Sequence, residues 1–217
     1  MSTLRPGICL ITNSRQYSSS PLESQLLAIE HAITAECDFI QIREKHLPRP
    51  QLRDFALRCL DLARNTSTRI IINRDWELAL ELGVWGVHLN SSQAFPPERG
   101  QLQVGASTHT LEEALSAQSA GADYVFLGPI FPPNSKTTSS ILGPEAFAAI
   151  SAVLEVPVFA LGGITVSNAS AAISAGADGV AGIGLFADPE RIQETILGLR
   201  REMESGREGA SNRNGRN

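Results

Sequence analysis

The sequence predicts a single-domain (β/α)8 TIM barrel, an α/β fold, on three observations. Eight short β-rich runs alternate with helix-like stretches, and that alternation implies parallel strands joined by right-handed crossovers. One helix-to-strand junction repeats, as Ala120-Gly121-Ala122-Asp123-Tyr124-Val125 and Ala175-Gly176-Ala177-Asp178-Gly179-Val180, with looser copies at residues 35–40 and 82–87. The chain has 217 residues, enough for one small barrel and too few for two domains of ordinary size. A doubly wound sheet is the alternative, but copies of one αβ unit suit a barrel better.

The elements follow in chain order. Strand runs fall at residues 7–13, 38–44, 69–75, 86–90, 103–108, 124–130, 157–163 and 179–184. Helix-like stretches fall between them at 21–36, 51–65, 76–82, 110–120, 144–154 and 167–175, and a last one follows at 189–204. Residues 91–101 are the weakest, because Pro96, Pro97 and Gly100 break any long helix. Glycine at the repeated junction can take the left-handed conformation that ends a helix. The barrel is therefore expected over residues 1–205. Residues 206–217 hold no apolar residue beyond one alanine and are expected to form a disordered tail.

A net charge of -5 argues against a nucleic-acid surface, which usually needs a basic excess. No stretch reaches the roughly 18 apolar residues of a membrane span, and no secretory signal is visible, so a cytosolic protein is expected. Cys9, Cys37 and Cys59 are odd in number and not at metal-ligand spacing, which suggests buried, reduced thiols.

In a barrel the active site forms where strands end and loops begin. Those ends are polar here: Gln41, Arg43 and Lys45; Asn73 and Asp75; His88 and Asn90; Ser107 and His109. Of 18 basic residues only Lys45 and Lys136 are lysine, and both follow a strand, where a compact ammonium suits a phosphate or carboxylate. Gly162-Gly163 ends the seventh strand and Gly182-Ile183-Gly184 the eighth, the two loops that commonly hold a phosphate on backbone N–H groups. His109 is the candidate acid/base. His88 shares the parity of Asn90, His31 should face solvent, and His46 sits in a loop.

These residues resemble the thiamine phosphate synthase and TenI family. The resemblance runs from about residue 7 to 204 through Gln41-Ile42-Arg43-Glu44-Lys45, Gly86-Val87-His88-Leu89, Gly105-Ala106-Ser107-Thr108-His109-Thr110, Leu127-Gly128-Pro129-Ile130 and Leu161-Gly162-Gly163-Ile164. It implies a (β/α)8 barrel with one of two activities. A synthase joins a hydroxymethylpyrimidine pyrophosphate to a thiazole phosphate, using Mg²⁺ and releasing pyrophosphate. A TenI-type tautomerase aromatises a carboxythiazole phosphate by proton transfer, without a metal. By resemblance, Gln41, Arg43, Lys45, Asn73, His88, Ser107 and Lys136 bind substrate. Gly163, Ile183 and Gly184 hold the thiazole phosphate, and His109 is catalytic in the tautomerase.

Two departures bear on that choice. Arg74 stands where the synthase's first magnesium carboxylate follows the asparagine, and Asn90-Ser91-Ser92-Gln93 offers no acid for the second. Asp75 lies one residue too far along and should point elsewhere. The expectation from the sequence is thus a tautomerase with no metal and no cofactor. The synthase, with Mg²⁺, is the alternative, and a non-catalytic thiazole phosphate binder the second. The expected partner is a small phosphorylated thiazole, with no nucleic acid and no membrane; a homodimer is left open.

Overall fold

Period-two alternation along each strand sorts its side chains into two cores. In the computed structural model, which describes residues 7–132 and 141–214, the strands are β1 (Gly7–Ile11), β2 (Phe39–Ile42), β3 (Arg69–Asn73), β4 (Gly86–Leu89), β5 (Gln103–Thr108), β6 (Tyr124–Leu127), β7 (Val158–Leu161) and β8 (Gly179–Gly182). They pair in parallel in sequence order, and β8 closes on β1, making the barrel expected from the repeat. Ile8, Leu10, Ile40, Ile42, Ile70, Ile72, Val87 and Leu89 point outward into the layer shared with the helices. Cys9, Ile11, Ile71, Tyr124, Phe126, Phe159 and Ala181 point inward.

The helices are α1 (Pro21–Thr34), α2 (Arg49–Ala63), α3 (Trp76–Leu82), α4 (Leu111–Ser119), α5 (Gly143–Ser151), α6 (Ala169–Ser174) and α7 (Ile192–Asn214). No helix forms over residues 91–101. The tail expected from residue 206 differs from the structure: α7 runs on to Asn214. Docking overrides composition there. Gly206 is buried, and a Cβ on it would stand 2.6 Å from the Ser170 carbonyl oxygen of α6, so only glycine lets the two helices approach this closely. The Ser174 hydroxyl donates to the Gly206 carbonyl at 3.2 Å. Residues 215–217 lie outside the described residues.

The junction repeat has a physical cause. Asp38, Asp123 and Asp178 each accept from the N–H of a residue near the start of the preceding strand: Ile8 at 2.7 Å, Val104 at 2.7 Å and Val158 at 2.9 Å. The carboxylate satisfies a backbone N–H at the start of a strand, at the barrel's lower rim. The fourth copy carries Trp85 instead, and its ring packs with Phe39 and Tyr124 at centroid distances of 5.0 and 6.0 Å. Phe126 and Phe159 complete an aromatic floor inside the barrel. Gly105 makes room for it, since a Cβ there would overlap the Tyr124 ring.

The three cysteines are buried and free, as expected. Among the described residues, no helix is long and apolar enough to cross a membrane.

Candidate active site

At the C-terminal mouth the alternation of β2 continues into its loop. Gln41, Arg43 and Lys45 line a cavity of about 240 Å³ at the barrel mouth, while Glu44 turns away. Glu44 is buried and accepts from the Ser14 N–H at 2.9 Å and the Ser14 hydroxyl at 2.7 Å. His46 lies 3.7 Å from it, which gives that loop histidine a structural neighbour rather than a place in the cavity. His31 is likewise engaged: its Nδ1 donates to the Pro189 carbonyl at 2.7 Å.

The other strand ends complete the walls. Asn73 ends β3 and Arg74 follows it, His88 lies in β4 and Asn90 just after it, Ser107 lies in β5 and His109 just after it, and Ile183 follows β8. Among the described residues, no aspartate or glutamate lines the cavity. Arg43, Lys45 and Arg74 therefore make it a site for anions. The repulsion bears on Lys45, whose pKa is lowered by Arg43 first, then by partial burial and by Arg74. Burial is the main cause that lowers Arg43.

His88 is a buried, neutral part of the floor. Burial drives its pKa down to about 3, and its ring stacks on Phe126 at 4.1 Å between centroids. Its Nε2 lies 2.9 Å from the Ser107 hydroxyl and its Nδ1 3.3 Å from the Tyr124 hydroxyl, so it positions Ser107 for the cavity. Gln41 is 2% exposed and donates through Nε2 to the Asn73 side-chain oxygen at 3.4 Å.

His109 is held at the rim. Its Nδ1 lies 2.6 Å from the Gly128 carbonyl, which can only accept, so Nδ1 carries the proton. The ring does not cap α4: Thr110 does, accepting from the Glu113 N–H at 3.2 Å, while the Glu113 carboxylate accepts from the His109 N–H at 2.6 Å.

The glycines sit beside the cavity rather than in it. Gly163 follows Leu161 by two residues and Gly184 follows Ile183, and both of those apolar residues line it. The N–H groups of Gly163 and Ile183 donate to no other described residue. Lys136 lies outside the described residues.

Magnesium finds little to hold it here. Arg74 occupies the position after Asn73. Asp75 caps α3 through the Leu78 N–H at 2.8 Å and accepts from Arg49 Nε at 3.0 Å, as its offset implied. Among the described residues, no three His, Cys, Asp or Glu side chains come together as a metal site. The present donors do not fit the ion that the resemblance implies for a synthase.

A larger cavity of about 540 Å³ opens at the opposite, N-terminal mouth among Phe39, Trp85, Tyr124 and Phe159. Its three acids, Asp38, Asp123 and Asp178, are the strand caps described above. The smaller cavity carries the unspent polar groups and is the candidate site. Of its walls, Arg74 was not among the expected binding residues. Its signal in the sequence was an arginine directly after a strand-end asparagine.

Comparison with known proteins fixes the family. The family model described as thiamine monophosphate synthase matches residues 8–186. The chain belongs to the thiamine monophosphate synthase family. A thiamine-phosphate synthase of Chlorobium phaeobacteroides is 36% identical over 92% of this chain and 98% of its own length. A thiamine biosynthesis bifunctional protein of Geobacter sulfurreducens is 39% identical over 70% of this chain, a match spanning 32% of that longer protein. Among solved structures, the thiamine phosphate pyrophosphorylase of Pyrococcus furiosus superposes with a TM-score of 0.75 at 27% identity, covering 92% of this chain and 96% of that one.

These relatives correct the activity expected from the sequence. Proteins 34–36% identical across about nine-tenths of the chain are named thiamine-phosphate synthases, transferases rather than isomerases, so the tautomerase reading is set aside. Two missing carboxylates do not decide between the reactions. Their loss speaks to how a pyrophosphate's charge is met, and His109 is compatible with either chemistry.

Proposed function

We propose that this protein is a thiamine-phosphate synthase, joining hydroxymethylpyrimidine pyrophosphate to a thiazole phosphate. The observation that carries the reading is the cation-lined cavity at the C-terminal mouth of a barrel of this family. Such chemistry needs two anions held side by side. The thiazole ring nitrogen gives its lone pair to the pyrimidine methylene carbon, the bond from that carbon to the pyrophosphate oxygen breaks, and pyrophosphate leaves with the electron pair. No net proton transfer is required. The protein's work is therefore positioning and charge stabilisation.

In this reading Arg43 and Lys45 meet the pyrophosphate, with Gln41 and Asn73 holding the strand-end geometry between them. Ser107, positioned by neutral His88, offers a hydroxyl to the pyrimidine side. The amides near Gly163 and Ile183 take the thiazole phosphate, and His109 closes the rim with its Nε2 edge. No step is assigned to a metal. The setting is read as cytosolic, which three buried free thiols support.

The test is direct: purified protein is incubated with both substrates, and thiamine phosphate and pyrophosphate are measured. Equimolar formation of the two supports the proposal. Saturable binding of thiazole phosphate with no product from the pair defeats it and leaves a non-catalytic binder.

A further inference from the structure

We infer that Arg74 supplies, as a fixed cation, the charge that a carboxylate-held magnesium would bring to a pyrophosphate, so that this site takes pyrophosphate without a divalent metal. The inference rests on the synthase reading for its ligand.

Three observations carry it. The first is placement. Arg74 lines the same cavity as Arg43 and Lys45, and among the described residues no acid lines it. Asp75, the nearest carboxylate in sequence, is occupied by the α3 N-terminus and Arg49.

The second is the backbone. Arg74 sits at φ +70°, a left-handed conformation that side chains other than Asn, Asp and Gly adopt rarely. Such a conformation persists only where the surroundings enforce it. Here the Arg74 N–H donates to the His88 carbonyl at 2.9 Å, and the Arg74 carbonyl accepts from Gln93 Nε2 at 2.7 Å. Both peptide groups of this residue are thus fastened to the β4 strand and its loop. Its side chain springs from a fixed point on the cavity wall rather than from a free loop.

The third is the mutual repulsion of Arg43, Lys45 and Arg74. Three like charges around one small cavity are unfavourable in isolation and become favourable when a polyanion enters. The lowered pKa of Lys45 reports that field. A divalent cation added to the same place would meet three positive charges and no described carboxylate. Arginine also suits the ligand, since its planar fork can donate to two phosphoryl oxygens at once.

The balance of the reaction is unchanged. The carbon–oxygen bond to pyrophosphate breaks with both electrons on the leaving oxygen, and the negative charge gathering there is met by guanidinium and ammonium N–H groups.

The test uses the full chain and inorganic pyrophosphate, titrated calorimetrically in EDTA and then with excess Mg²⁺. The expected result is binding in EDTA that Mg²⁺ does not strengthen. Arg74→Asn keeps a residue at ease at φ +70° and removes the charge; it should weaken pyrophosphate at least tenfold in EDTA with an unchanged melting temperature. Arg74→Lys should recover part of that loss. Arg74→Asp should bind pyrophosphate only when Mg²⁺ is added. Wild-type binding that requires Mg²⁺, or an Arg74→Asn variant that binds as wild type does, would overturn the inference. The underlying reading fails separately: metal-free pyrophosphate binding without any synthesis of thiamine phosphate counts against the synthase, whereas synthesis that stops in EDTA counts against Arg74.

Discussion

Gln93 fastens Arg74 by its backbone, donating from Nε2 to the Arg74 carbonyl at 2.7 Å, so two segments that depart from the synthase pattern are bonded to each other. The other end of the same amide, Gln93 Oε1, is buried without a hydrogen-bond partner among the described residues. Truncating the side chain removes one good hydrogen bond and one unsatisfied acceptor together. For Gln93→Ala the two effects oppose, and stability should change by no more than about 1 kcal/mol. Arg74, released on one side, should hold its ligand less well, with pyrophosphate weakened roughly fivefold, about one neutral hydrogen bond. A urea titration and a pyrophosphate titration on one preparation check both. A large stability loss with unchanged binding would show that Gln93 serves the fold alone.

His88 gives the protein an acid-sensitive core. Burial holds its pKa at about 3 against an ordinary 6.5. The folded pKa is depressed, so below about pH 6.5 the unfolded chain accepts a proton that the folded one refuses. The contribution to stability is full above that pH and is lost progressively as pH falls from 6.5 towards 3. At pH 5 the loss from this residue should be about 2 kcal/mol. Urea midpoints for wild type and His88→Gln at pH 7, 6 and 5 read the effect. The gap between the two proteins should narrow as the pH drops, and a constant gap would mean that His88 is not the group that titrates.

The barrel was legible because its determinants are local: period-two strands, breaking residues and a repeated junction. The repeat's aspartates were visible as a pattern, but their caps on the preceding strand were not, because the partners lie 19 to 30 residues away. The end of α7 escapes the sequence for the same reason. Nothing in the composition after Glu204 says that Gly206 meets Ser170. At the site, Gln41, Arg43, Lys45, Asn73, His88, Ser107, His109 and Ile183 do converge on one cavity, as strand-end polarity suggested. In the sequence Arg74 stands as a positive charge in place of an acid, one that keeps the synthase alternative open if it replaces the metal's charge; that it faces the same cavity as Arg43 and Lys45 shows only in the structure. The aromatic floor is invisible for a related reason, since Phe39, Trp85, Tyr124, Phe126 and Phe159 are spread over three strands and the edge of a fourth.

His109 and Thr110 are neighbours with separable duties. Thr110 accepts the Glu113 N–H at the start of α4, so Thr110→Ala should cost about 1 kcal/mol and leave the rate of synthesis unchanged. His109→Asn retains a donor that can reach the Gly128 carbonyl and should melt as wild type does. It loses the Nε2 edge at the rim, and kcat/KM should fall about tenfold, one hydrogen bond's worth. Melting temperature and kcat/KM measured for both variants decide the matter. If His109→Asn destabilises and keeps its rate, the ring belongs to the scaffold.

Gly163 and Gly184 test the phosphate subsite, because the structure treats them differently. Gly163 adopts φ +65°, and a Cβ on it would stand 2.4 Å from the Phe131 carbonyl oxygen. Gly163→Ala is therefore strained twice, in its dihedral and in its contact, and should lose about 2 kcal/mol or more whatever the ligand does. A binding change in that variant would mix strain with lost contact. A methyl group on Gly184 would meet nothing within 4 Å, and its φ is not positive, so Gly184→Ala should fold with a stability within about 0.5 kcal/mol of wild type. A phosphate drawn close to the backbone at Ile183-Gly184 would meet that methyl. Thiazole phosphate affinity should then fall at least about tenfold, the cost of roughly 1.4 kcal/mol in contact. Pyrophosphate, held across the mouth by Arg43, Lys45 and Arg74, should bind as before. Titrating each ligand separately into Gly184→Ala gives the answer. Unchanged thiazole phosphate affinity in a stable variant would move that phosphate away from the β8 loop, and equal weakening of both ligands would mean that the two anions share one place.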